Sequence, residues 1–334
     1  MELIKRFLKR TDFESYADFR ENFHLEVPEK FEFARDVVDA WAEAEPNKRA
    51  LVYCDDEGFS KTFTFADISV LSKKAATYFT EMGIKRGDRV LTLLRRRYEY
   101  WIIATALHRI GAVVIPASIQ LRAKDIDYRL LQADAKCVIA INDAFVVQQV
   151  TSLRTKVEII FVGDEKVEGY PYFDGEYEAC ALYDAPDEGK NEDPMVIYFT
   201  SGTTGYPKMA VHNRTYPLGH IMTAKYMQCV QNNGLHLTQA DSGWAKFGWG
   251  CIYGQWICGA EILGYDMDRF NPENLAKVIR RCKPTTFCVP PTMYRFLLKN
   301  GITKEDFASV VHCSTAGEAL PPEVSLMIFT GSSV

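Results

Sequence analysis

Residues 198–208 read YFTSGTTGYPK, directly after the apolar run MVIYF at 195–199. An apolar strand, a bend rich in Gly, Ser and Thr, and then a helix expected near 216–227 describe a strand–loop–helix junction. In α/β proteins such a loop lies at the carboxyl edge of a sheet, where ligands bind. Gly202 and Gly205 lack side chains, so main-chain N–H groups can approach a polyphosphate. Thr200, Ser201, Thr203 and Thr204 add hydroxyl donors, and Lys208 adds a positive charge. The loop is not a Walker A loop, because Pro207 rather than Gly precedes the lysine and no Ser or Thr follows it. The plain alternative is a polar turn without a ligand. The coincidence of glycines, hydroxyls and lysine behind a strand argues against it.

Outward from this loop the chain alternates strand and helix. Upstream, Thr64 is a helix cap with Asp67 in the first turn. Ile68, Leu71 and Ala75 share the apolar face of that helix, and Gly83 ends it. Strands are expected at 89–94, 112–116, 137–141 and 158–162. Between them fall a helix carrying Ile103, Ala106, Leu107 and Ile110, stopped by Gly111, and another near 125–132. Downstream, Asn271 caps a helix with Pro272 at its first position and Glu273 behind it. Leu275, Val278 and Ile279 form its apolar face, Arg280 and Arg281 complement its dipole, and a buried strand follows at 286–289. Apolar strands separated by amphipathic helices predict layered parallel sheets with helices on both faces, an α/β fold. The acidic, turn-rich stretch 164–193 is expected to join a first half, 1–163, to a second, 194–334. The opening MELIKRFLKR reads as a solvated helix.

The chain has 334 residues, 47% of them hydrophobic and 25% charged, with a formal net charge of -5. That balance argues against a nucleic-acid-binding face. No run is long and apolar enough to span a bilayer. Nine cysteines without a CxxC pair, and six scattered histidines, give no zinc spacing and no metal ligands. Scattered thiols suit a reducing compartment, which places the protein in the cytoplasm.

The 198–208 loop resembles the signature loop of the adenylate-forming superfamily, which includes acyl-CoA synthetases, luciferases and peptide-synthetase adenylation domains. Three further segments agree in order. DSGWAKFGWG (241–250) is similar to the segment beside the acyl pocket, VPPTMYRFLL (289–298) to the strand–helix segment after it, and STAGEALPPEV (314–324) to the stretch along adenine. The details look most like acetyl- and medium-chain acyl-CoA synthetases. The resemblance implies ATP, magnesium and CoA as cofactors and a small carboxylic acid as substrate. The loop would hold the β- and γ-phosphates, while Gly317, Glu318 and Ala319 would lie against the base. Trp244, Phe247 and Gly248 match the acyl-pocket region, with core packing as the equal alternative. Gln120, in ASIQLRAKDIDYRL (117–130), matches a CoA-contacting position, although the residues by themselves favour an exposed loop glutamine. Arg95, Arg96 and Arg97 read as a solvated basic patch, and His212 takes no proton-transfer role.

The resemblance also sets expectations about what is missing. The family's Tyr-Gly-Gln-Thr-Glu-like segment, the ribose aspartate, the hinge and the small C-terminal domain with its lysine find no match. The sequence therefore reads as an incomplete N-terminal large domain with impaired ligation and no nameable catalytic residue. A non-catalytic nucleotide- or acyl-CoA-binding module, or another adenylate-former such as an aryl-CoA ligase, is the alternative.

Overall fold

Short β-branched runs make the strands of this chain, and a repeated arrangement makes two sheets from them. The computed structural model describes residues 2–200, 205–303, 305–322 and 324. Its strands are β1 (Arg49–Asp55), β2 (Ser60–Thr64), β3 (Arg89–Leu93), β4 (Val113–Pro116), β5 (Cys137–Ile141) and β6 (Glu158–Val162). They continue with β7 (Pro194–Thr200), β8 (Lys208–Asn213), β9 (Leu235–Thr238), β10 (Glu261–Asp266), β11 (Thr286–Cys288) and β12 (His312–Ser314). One sheet runs β6-β5-β3-β4-β7-β8 and the other β12-β11-β9-β10-β1-β2. In each, five strands are parallel and the last, β8 or β2, is an antiparallel edge strand. The two orders are the same pattern. Each hairpin, β1–β2 or β7–β8, is added beside the second strand of a four-strand parallel unit. Both sheets thus draw strands from either side of the 164–193 connection, so the expected halves divide the sequence and not the sheets.

The helix Glu99–Ile110 is buried along its whole length, which an amphipathic surface helix never is. It lies between the sheets. It packs on β4 of one, and the Trp101 ring abuts Gly264 in β10 of the other. The Trp101 indole N–H donates to the Cys251 carbonyl (2.7 Å), satisfying its one polar atom. The charge of Arg109, deep in this layer, is met by the Asp39 carboxylate at 2.7 and 2.9 Å. The helix Phe65–Glu81 runs against it, started by the expected capping box of Thr64 and Asp67. On the outer face of the second sheet, Leu275, Val278 and Ile279 of the helix Pro272–Cys282 cover Leu235, Leu263 and Tyr265. Asn271 caps that helix, accepting from the N–H groups of Glu273 and Asn274.

Three expectations need correction. The opening residues do not form a solvated helix. Leu3–Arg6 is a single 3-10 turn whose Leu3 and Ile4, with Phe7 and Leu8, are buried, Phe7 meeting Phe31 edge-to-face at 5.6 Å. The basic residues among them sit between apolar anchors, so charge density hid the burial. The triple arginine is not a solvated patch either. Arg95 pairs with Asp266 (2.9 Å) and with Asp268. Arg96 donates to the main-chain carbonyls of Tyr265 (3.0 Å), Met267 (2.7 Å) and Ala240 (3.3 Å), and Arg97 pairs with Glu99 (2.8 Å). Arg95 and Arg96 thus tie the carboxyl end of β3 to that of β10. Finally, the 198–208 segment does not lead into a helix, as described next.

Candidate active site

β7 runs parallel to β4, so Thr200 stands at the carboxyl edge of its sheet, as the loop reading requires. The chain then turns back as β8, pairing Thr200 with Lys208 and Phe199 with Met209. The junction is strand–strand, not strand–helix. KMAVHN alternates with a period of two and forms a strand that comes before the expected helix. The helix expected near 216–227 follows β8 in two pieces, the single turn Tyr216–Gly219 and the π-helical Met222–Met227. Among the described residues, β8 and not a helix follows the loop directly. Ser201, Gly202, Thr203 and Thr204 lie outside the described residues.

The ends of the hairpin are well defined. Gly205 has φ +95°, a left-handed conformation suited to glycine, with open space where a Cβ would stand. Lys208 is exposed. Tyr206 stacks on Tyr128 at 5.3 Å, and the Tyr128 hydroxyl donates to the Pro207 carbonyl (3.0 Å), clasping the returning strand to the helix Ala123–Ala133. Arg129 of that helix lies over the Phe199 ring at 5.3 Å. His212 is half-buried and stacks near Tyr216 at 4.3 Å; burial holds its imidazole below the ordinary value.

The other segments singled out by sequence meet at the helix Ala245–Cys251. Gly248 faces β7, and any Cβ there would overlap the buried Tyr198 hydroxyl. Phe247 is 1% exposed and belongs to the core, edge-to-face with Tyr100 at 4.7 Å. Trp244, by contrast, is 59% exposed at the helix start. One turn earlier, Asp241 accepts from the Ser118 hydroxyl (2.7 Å) and from the Gly243 N–H (2.8 Å). A Cβ on Gly243 would strike the Ala117–Ser118 main chain, so the segment lies tight on the carboxyl end of β4. Gln120 is two residues beyond, exposed, its N–H donating to the Ser118 hydroxyl (3.3 Å).

Lys246 was not foreseen. It is almost fully buried, and its ammonium donates to the Ala316 carbonyl (2.9 Å). Burial pushes its pKa down, with Cys288, Cys251 and Glu318 opposing. It thereby fastens the helix to the stretch after β12. There Gly317, at φ +101°, and Glu318 and Ala319 are exposed, with open space at the glycine. The Glu318 carboxylate accepts from the Thr292 hydroxyl (2.6 Å) in the helix Pro291–Lys299. The available signal was a single lysine set among aromatic and small residues. So β7, the end of β4 and the 315–319 stretch converge on one short helix.

Residues 38–329 match the family model for AMP-binding enzyme, and the chain belongs to that family. Among curated proteins it is 34% identical over 310 residues to acyl-coenzyme A synthetase ACSM4, mitochondrial, of Homo sapiens, covering 89% of this chain and 53% of that protein. It is 33% identical to acyl-coenzyme A synthetase ACSM3, mitochondrial, of Homo sapiens, covering 94% and 55%. The chain thus spans about half the length of these relatives. Among solved structures it superposes on an anthranilate CoA ligase in complex with anthranoyl-AMP with a TM-score of 0.82 at 22% identity, covering 91% of this chain and 59% of that one. A Brucella canis acyl-CoA synthetase gives 0.77 at 24% identity, covering 84% and 52%. At those identities the likeness shows the shared fold.

Proposed function

We propose that this chain is the nucleotide-binding part of an ATP-dependent acid–CoA ligase, in which a carboxylate attacks the α-phosphorus of ATP and the CoA thiol then displaces AMP. The observation that carries the reading is the convergence on the helix Ala245–Cys251, with Tyr198 of β7 against Gly248 and the Ala316 carbonyl on Lys246. It supports a triphosphate laid between the hairpin bend and the 317–319 stretch. Positive charge and oriented donors at the phosphates favour attack by an anion on a polyanion. Thr200, Ser201, Gly202, Thr203, Thr204, Gly205 and Lys208 would bind the phosphates, and Gly317, Glu318 and Ala319 the base. The open space at Gly205 and Gly317 fits such a ligand.

Among the described residues no group of three or more His, Cys, Asp or Glu could hold a metal ion. Magnesium enters this reading bound to the triphosphate, where it shares the phosphate charge. Trp244 and Gly248 would border the acyl group, and Gln120 the CoA path, with a small carboxylic acid as substrate. Ligation is proposed for the whole protein, of whose relatives this chain spans about half. The nine free cysteines suit a reducing compartment. Fractionation decides between the cytoplasm and the mitochondrion that the relatives' names print. No helix among the described residues is long and apolar enough to cross a membrane.

The test is calorimetric titration of the chain with ATP, beside the Lys208→Ala variant. Saturable binding, weakened roughly tenfold in the variant, supports the reading. No heat of binding, or identical isotherms, would overturn it. A carboxylate panel with pyrophosphate readout then identifies the acid.

A further inference from the structure

Away from that site, the outer face of the second sheet carries a pair of thiols. β1 sends Leu51 to the inner core and Cys54 to the outer one, where the sheet meets the helix Pro272–Cys282. The last residue of that helix, Cys282, packs against the same cluster as Cys54. Arg281, the residue before Cys282, lines the same cavity as the two thiols. Both sulfurs line a cavity of about 460 Å³ that also carries Arg49, Lys283 and Glu261, the last paired with Arg49 at 2.8 Å. Cys54 is buried and Cys282 partly exposed, so an outside reagent meets Cys282 first.

We propose that Cys282 and Cys54 form a reactive dithiol, a modification site for soft electrophiles and small disulfides, with Cys282 attacking and Cys54 resolving.

The chemistry balances without a further reagent. The Cys282 thiolate attacks one sulfur of a small disulfide; that S–S bond breaks and a thiolate leaves. Cys54 gives its proton to solvent, and its sulfur displaces the second thiolate from Cys282, forming the Cys54–Cys282 bond. Two protein thiols are oxidised and one disulfide is reduced to two thiols.

The other partly exposed thiols lack this setting. Burial and the Glu81 carboxylate raise Cys180, and burial raises Cys229 and Cys313. The Cys54 thiol and Arg281 hold Cys282 below the ordinary thiol value against the cost of burial, while Cys54 is raised in turn. A cation beside a sulfur is what makes a thiolate available at neutral pH. The reaction depends on the thiolate fraction and on access, and Cys282 has both.

The test treats the reduced full chain with 5,5′-dithiobis(2-nitrobenzoate). The expected rapid phase releases two equivalents of nitrothiobenzoate and leaves a peptide linked through Cys54 and Cys282. Cys54→Ala should release one equivalent and keep the adduct on Cys282, while Cys282→Ala should lose the rapid phase. A rapid phase that survives Cys282→Ala, or the absence of the linked peptide, would overturn the proposal. The unsubstituted chain supplies a second readout that needs no variant to fold. Limiting iodoacetamide followed by peptide mapping should label Cys282 before any other cysteine; another cysteine labelled first also overturns it.

Discussion

Lys246 shows how a single side chain can join two parts of a site. Its ammonium is held to the Ala316 carbonyl (2.9 Å) one residue before the exposed Gly317. A charge-assisted bond of this kind is worth about 1.5–3 kcal/mol. Lys246→Met keeps the apolar stem and removes the bond, so the 315–319 stretch should lose its anchor. The expected outcome is ATP affinity reduced by roughly tenfold, read by calorimetry, with the melting temperature little changed. Equal affinity would show that the bond does not order the site. At this scale the sequence was legible where a residue acts through its neighbours. Thr64 with Asp67, and Asn271 with the N–H groups behind it, are local bonds and appear as expected. Arg95 and Arg96 were not legible, because their partners Asp266, Tyr265 and Met267 lie some 170 residues away. A basic triplet looks solvated until the acids and carbonyls that meet it are known.

Elements were legible where periodicity was unambiguous. Cys137–Ile141 and Glu158–Val162 are strands as read, and Gly111 ends the preceding helix in the left-handed conformation at φ +79°. Two elements were not. β8 was read as lead-in to a helix, although its alternation was there to find. The apolar stretch 251–263 reads as buried helix, yet it contains the helix Tyr253–Ile257, a glycine turn and the start of β10. A fully buried strand and a fully buried helix both show near-continuous apolar residues, so period alone does not separate them. Gly264 in β10 gives a test of the layer between the sheets. A Cβ there would stand 2.8 Å from the Trp101 ring, which is pinned by its bond to Cys251. Gly264→Ala should cost about 1–3 kcal/mol by denaturant unfolding. A neutral result would mean that the Trp101 ring has room to shift.

Across the whole molecule, the pairing of the β1–β2 hairpin into a sheet built some two hundred residues away is what sequence pattern could not reveal. β1–β2 joins a sheet whose other strands begin at Leu235, and no local signal specifies that choice. The layered α/β class was legible, because it follows from strand–helix alternation alone. The 164–193 connection is also more than a spacer. Asp187 accepts from Arg214 (2.8 and 3.0 Å), from Arg86 (3.1 Å) and from the Gly189 N–H (2.9 Å), strapping it to the segments around β3 and β8. Burial opposes its ionisation, but the hydrogen bond from Arg214, the Gly189 N–H and the arginine charges hold it down at about 2. The folded value lies below the ordinary carboxylate value of 3.8, so the strap's contribution is complete above that pH. It is lost as pH falls towards 2. The melting temperature should therefore drop over that interval, and Asp187→Asn should flatten the drop while lowering stability at neutral pH. An unchanged profile would remove Asp187 from the acid response.

In the proposed site, the bend after β7 and the stretch after β12, joined through the helix Ala245–Cys251, bind one nucleotide. Hydrogen exchange of the chain with and without saturating ATP tests it most directly. Amide protection should rise together at 198–208 and at 315–319. Protection confined to one of them, or appearing elsewhere with both unchanged, would contradict it.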